Sequence, residues 1–190
     1  MTKTLIIGIG GAGTNISQFL VENFSGSYEW LLINSDKKSL AKHPTTNSIF
    51  LEIALSNKPT IPKKFADAVQ GMKSEISSHV QGKEQVVVVA GLGGESGTYS
   101  MPSIAQLAGI HSDNVTLICV LPFKFEESRR RLAEQELTTL KSAFPNQVVE
   151  FDNHSIMDKK LSLTEAFQQA NDTILTLLNQ QMSANLIGET

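Results

Sequence analysis

The chain has 190 residues, of which 41% are hydrophobic and 18% charged, with a formal net charge of −3 and one cysteine. That balance describes a folded globular domain with a sizeable core, and it excludes a disordered chain, an internal disulfide and broad electrostatic binding of nucleic acid. No apolar run reaches the length of a membrane span, and Met1-Thr2-Lys3 leads straight into an apolar run instead of a signal peptide, so the expected location is cytoplasmic.

Short apolar runs alternate with helical periodicity along the whole chain, the pattern of stacked βα units. A strand is predicted at Thr4–Ile9, followed by a helix carrying Ile16, Phe19, Leu20 and Phe24. Strands follow at Glu29–Asn34 and Ser48–Glu52. Ser56 to Lys64, with Pro59 and Pro62, reads as a long surface loop. One longer helical segment then carries Phe65, Val69, Met72, Ile76 and Val80. Gln85–Ala90 and Val115–Leu121 are near-continuous Val/Ile/Leu runs, as expected of central strands covered on both faces. Cys119 lies within the second of these and is expected to be a buried, inert thiol.

Arg129 to Phe144 places Leu132, Ala133, Leu137, Leu140 and Phe144 on one helical face, and Gln147–Phe151 is the last predicted strand. Ser162 with Glu165 three residues on is a capping-box pattern that opens a final helix. That helix carries Phe167, Ala170, Ile174, Leu177, Leu178 and Met182 and is expected to run almost to the end of the chain. The four histidines show no metal-ligand spacing, and no metal site is expected. The fold class is therefore α/β: one three-layer, Rossmann-like domain over residues 1–190 with a mostly parallel six-stranded sheet.

Two glycine-rich loops carry the chemistry. Gly8-Ile9-Gly10-Gly11-Ala12-Gly13-Thr14-Asn15 follows the first strand, and Gly91-Leu92-Gly93-Gly94-Glu95-Ser96-Gly97-Thr98 follows the fourth. Glycine lets the backbone approach a bulky anion and adopt positive φ, and a strand that turns into a helix aims free N–H groups and the positive helix end at one point. Two such loops suggest that a polyphosphate is held from both sides. Gly8, Gly10 and Gly13 also satisfy the G-x-G-x-x-G fingerprint, with Asp36 where a ribose-binding acid would sit, so a nicotinamide-binding Rossmann protein is one reading. The second loop speaks against it, and no G-x-x-x-x-G-K-[ST] segment supports a P-loop enzyme.

Ala90 to Pro102, AGLGGESGTYSMP, resembles the signature loop of the tubulin/FtsZ family. Gly8 to Asn15 is similar to that family's first phosphate loop, and Ile33-Asn34-Ser35-Asp36 to its INTD run. Pro122-Phe123-Lys124-Phe125-Glu126 with Arg130 resembles PFNFEGKKR, and Leu161 to Asp172 resembles ISLLDAFGAAND. The resemblance implies a GTP- or GDP-binding domain, with Mg²⁺ carried through the phosphates. It implies phosphate contacts from Gly10, Gly11, Ala12, Asn15, Gly93, Gly94, Glu95, Ser96, Gly97 and Thr98. Glu126 and Arg130 would reach the ribose region, Phe167 would stack on guanine, and Asn153, Asn171 and Asp172 would read the base edge. A carboxylate that accepts from guanine N1–H and the exocyclic amine, beside an amide, is sound chemistry for that base.

Local readings stand beside these. Phe167 has the spacing of a core residue, Glu126 suits a helix N-terminus through the dipole, Asp36 suits a cap, and Arg129 and Arg131 are expected on a solvated face. Asn171-Asp172 in mid-helix needs a local reason, since both are poor helix formers. Glu95 and Tyr99 stand where the family has glycines, and the segment after Phe50-Leu51 lacks the glycines that sense a terminal phosphate. The family continues into an acid-bearing activating loop and a second domain, whereas this sequence reaches Thr190 where that loop would begin. The expectation is a weak or inactive GTPase on its own, monomeric or a small oligomer; the alternative is a GTPase activated in trans by a full-length FtsZ-like partner.

Overall fold

The computed structural model describes residues 4–23, 27–55, 60–156 and 161–187. Six strands, β1 (Thr4–Ile9), β2 (Tyr28–Asn34), β3 (Asn47–Phe50), β4 (Gln85–Gly91), β5 (Val115–Leu121) and β6 (Val148–Asp152), form one sheet in the order β3-β2-β1-β4-β5-β6. All five pairings are parallel. The helices are α1 (Gly10–Asn23), α2 (Lys37–Leu40), α3 (Ile61–Gly71), α4 (Lys73–Val80), α5 (Glu95–His111), α6 (Glu127–Ala143) and α7 (Leu163–Ile187), with a 3-10 turn at Asn153–Ile156.

Alternation along the strands sorts the core into two faces. Leu5, Ile7 and Ile9 point to the side covered by α3 to α6, where they meet Val69, Ile76, Ile104 and Leu137. Ile6, Val87, Val89 and Ile118 point to the other side, against Ile16 and Leu20 of α1 and Ile174 of α7. Central strands buried on both faces need apolar residues at every position, which is why these runs read as continuous. Cys119 is fully buried among them, and burial pushes its thiol up to about 12.

The chain winds outward from β1 to β2 and β3, then crosses back to lay β4 beside β1, with Ile9 opposite Ala90. This reversal opens a crevice at the carboxyl ends of two adjacent strands. Both glycine loops leave the sheet there.

Two local expectations change. The segment from Phe65 to Val80 is two helices, because Met72 (φ −98°, ψ 8°) departs from helical geometry directly after Gly71. Phe65, Val69, Ile76 and Val80 are all buried nonetheless. The stretch expected to be loop up to Lys64 is helical from Ile61, with Pro62 in the first turn, where a missing N–H costs nothing. Ser56 to Pro59 lie outside the described residues, as do Phe24 and Gly188 to Thr190. The capping box at the start of α7 forms: Ser162 N donates to Glu165 Oε2 at 2.8 Å and Glu165 N donates to Ser162 Oγ at 3.3 Å. Among the described residues no helix is long and apolar enough to cross a membrane.

Candidate functional site

The glycines of the two loops divide by what surrounds them. Gly10 (φ 68°) and Gly93 (φ 90°) adopt the left-handed conformation that favours glycine, and each sits where strand becomes helix. Gly13 and Gly97 are packing positions instead: a Cβ on Gly13 would strike the Val89 carbonyl oxygen, and one on Gly97 the Gly91 carbonyl oxygen. These contacts let α1 and α5 press onto β4. Gly11 and Gly94 face open space, a Cβ meeting nothing within 4 Å at Gly11 and only Arg129 Nη2 at 3.9 Å at Gly94.

The two loops meet. A Cβ on Gly10 would lie 3.3 Å from both Gly97 N and Ser96 Cβ, so the N-terminus of α1 abuts the N-terminus of α5. Helix starts leave N–H groups without intrahelical acceptors, and Gly94 supplies no side-chain cap to α5. Two positive helix ends at one place make a strong anion cradle. Thr98 braces it from inside, its Oγ1 accepting from Gly93 N at 2.8 Å. Ser96 Oγ is 2.7 Å from Ser35 Oγ and 3.4 Å from Asn34 Oδ1, which ties the second loop to the end of β2. Asp36 caps α2 by accepting from Lys38 N, as the local reading expects.

A cleft of about 600 Å³ runs from these loops between α6 and α7. Of the residues singled out from the sequence, Ala12, Asn15, Glu126, Asn153 and Asn171 line it together. Its floor is apolar, with Leu92, Val120, Phe123 and Ile174. Glu126 is half-buried, its Oε1 accepting from Phe123 N at 3.2 Å and its Oε2 from Arg129 Nη1 at 2.5 Å. Glu95 is exposed in the first turn of α5, where the dipole favours it. Asp172 is exposed on α7, with Gln168 Nε2 donating at 3.4 Å, and does not line the cleft. Phe167 lies on α7 one turn before Asn171.

Arg130 is turned elsewhere. Its Nη1 and Nη2 donate to the two Asp152 oxygens at 2.6 and 2.9 Å, Nη1 also to Pro122 O at 2.9 Å, and Nε to Glu134 Oε1 at 2.6 Å. Burial alone would raise the Asp152 carboxyl, but bonds from Arg130 and from His154 N hold it below the usual carboxylate range. Arg129 is the arginine that lines the cleft, while staying exposed as the local reading expects. Phe125 joins it at the mouth, 63% exposed and stacked on Phe123 at 5.3 Å between centroids. The sequence holds a signal for Arg129: it stands one turn before Ala133, at the head of the buried stripe Ala133, Leu137, Leu140.

The family model for the tubulin/FtsZ family GTPase domain matches residues 3–160. The chain belongs to the tubulin/FtsZ family. It is 28% identical over 180 residues to cell division protein FtsZ 2 of Methanocaldococcus jannaschii, which covers 90% of this chain and 46% of that protein. The fold superposes on an FtsZ dimer subunit from M. jannaschii with a TM-score of 0.74 at 25% identity, over 92% of this chain and 52% of that one. A GTPγS-bound protofilament of CetZ2 from Haloferax volcanii gives a TM-score of 0.74 at 24% identity, over 96% and 58% of the two chains, a likeness of fold. The chain thus spans about half the length of these relatives. This is a tubulin/FtsZ-family GTPase domain, with the Rossmann-like α/β architecture that the sequence predicts. The membership does not favour the nicotinamide reading.

Proposed function

We propose that the cleft binds a guanine nucleotide, with the phosphates on the two glycine loops and the base between Asn153 and Asn171. The observation that carries this is the meeting of the loops at Gly10 and Gly97, which points two helix N-termini at one end of a cleft lined by amides at the other. In this reading Gly11, Ala12 and Gly94 border the phosphates, Glu126 the ribose, Phe167 and Asn171 the guanine, and Asp172, exposed beside Asn171 and outside the cleft lining, reaches the base edge from the rim. Among the described residues no group of three or more His, Cys, Asp or Glu gathers at a point that suits a metal ion. The residues therefore fit Mg²⁺ only as an ion carried by phosphate oxygens and water, Glu95 being the carboxylate that the two loop sequences contain. Calorimetry with GTP, GDP, ATP and NAD tests the binding; equal affinity for GTP and ATP would overturn the guanine assignment.

Turnover by this chain alone is proposed to be low. Among the described residues Glu126 is the one carboxylate lining the cleft, and in this reading it faces the ribose and not the phosphates, with its Oε1 accepting from Phe123 N. Positioning a water for phosphoryl transfer needs a group free to orient it. A full-length FtsZ-like protein is the proposed partner to supply such a group in trans, and this chain by itself is proposed to stay monomeric or a small oligomer with GTP. Phosphate release measured with and without that partner, beside sedimentation, decides both: rapid turnover or long filaments of the chain alone would count against them.

A further inference from the structure

We infer that Arg129, and not Arg130, supplies the positive charge that faces the nucleotide's phosphate chain. The inference rests on the guanine-nucleotide reading of the cleft and specifies its electrostatics. Among the described residues that line the cleft, Arg129 is the one Lys or Arg. Arg130, one position on, has its guanidinium filled by both Asp152 oxygens, Glu134 and the Pro122 carbonyl, and only 12% of its side chain is exposed. Adjacent helix positions point about 100° apart, so one arginine faces the cleft and the other the β6 end of the sheet.

The tethers on Arg129 are of a kind that a ligand can replace. Its side chain is 53% exposed, Nε makes a long 3.4 Å bond to the Gly93 carbonyl, and Nη1 meets Glu126 in an open i,i+3 pair. Its Nη2 lies over the open side of Gly94, beside the first turn of α5. A phosphate on those N–H groups would come within reach of the planar fork, which matches phosphate oxygens two at a time and exchanges the carboxylate of Glu126 for them. Glu126 is then released toward the sugar.

Competition titrations of the full chain with GTP and guanosine test this in R129Q, R129K, R130Q, E126Q and E126Q/R129Q, each with a melting temperature. R129Q is expected to weaken GTP by about tenfold or more while guanosine changes by less than about twofold, as loss of a charge-assisted contact requires. R129K is expected to recover part of the GTP affinity. The same GTP-selective loss should separate E126Q/R129Q from E126Q. R130Q is expected to lower the melting temperature and to affect both ligands alike. Equal losses of GTP and guanosine in R129Q, a loss that disappears in the E126Q background, or a larger GTP-selective loss in a folded R130Q would each overturn the inference. Wild-type protein that binds neither ligand would instead overturn the nucleotide reading itself, and the inference with it.

Discussion

Arg130 and Asp152 close a two-point pair, Nη1 to Oδ1 at 2.6 Å and Nη2 to Oδ2 at 2.9 Å, that clamps the first turns of α6 to the end of β6. Fork-to-carboxylate geometry with both side chains largely shielded is the arrangement in which an ion pair contributes measurably. D152N or R130Q is expected to destabilise the fold by about 1–3 kcal/mol, read from the shift of the urea midpoint at constant slope. A double-mutant cycle that finds no coupling would show the pair to be decorative.

The same pair fixes a pH dependence. A carboxyl held below its unfolded value of about 3.9 contributes stability above that pH and loses it as pH falls through the lower, folded value. Glu29 acts in the same direction: burial would raise its carboxyl, and hydrogen bonds from Lys83 and His79 outweigh that and hold it low. Wild-type stability is thus expected to fall as pH drops below about 5. E29Q and D152N should each show a shallower acid limb, and an acid limb unchanged in both variants would contradict the assignment.

Gly97 and Gly94 should respond differently to the same substitution. G97A sets a methyl group on the Gly91 carbonyl at a buried helix-to-strand contact and is expected to cost several kcal/mol, on the order of 2–4, seen as a lower melting temperature with or without nucleotide. Gly94 has φ −100° and faces open space, so G94A is expected to fold normally and to weaken nucleotide binding alone. Both loops would be mere turns if G94A bound GTP like wild type.

Asp172 is exposed, so removing it should leave stability within about 0.5 kcal/mol. D172A is expected to weaken GTP by about tenfold and to weaken inosine triphosphate, which lacks the exocyclic amine, by clearly less. Equal losses for the two nucleotides would remove Asp172 from base recognition.

Cys119 is expected to resist thiol reagents at pH 8 in the native protein, because its thiol lies fully buried with its ionisation pushed up to about 12. Labelling should follow the unfolding transition in urea. Rapid labelling of native protein would place this sulfur outside the core.

The sequence by itself determined what local chemistry determines. Continuous apolar runs gave the central strands because a strand covered on both faces tolerates little else, and Ser162 with Glu165 marked the start of α7 because a capping box is closed within one turn. Glycines at strand ends marked both loops for the same reason. Tertiary structure alone decided which of those glycines hold the backbone together and which have room beside them: Gly97, inside α5, meets the Gly91 carbonyl, whereas Gly94, at the start of that helix, meets open space. It also decided between two adjacent arginines. Ala133, Leu137 and Leu140 set the rotation of α6 on the sheet, and that rotation turns Arg129 to the cleft while Asp152, from a strand 22 residues on, captures Arg130. A side chain's partner depends on distances between elements, which periodicity along one element does not contain.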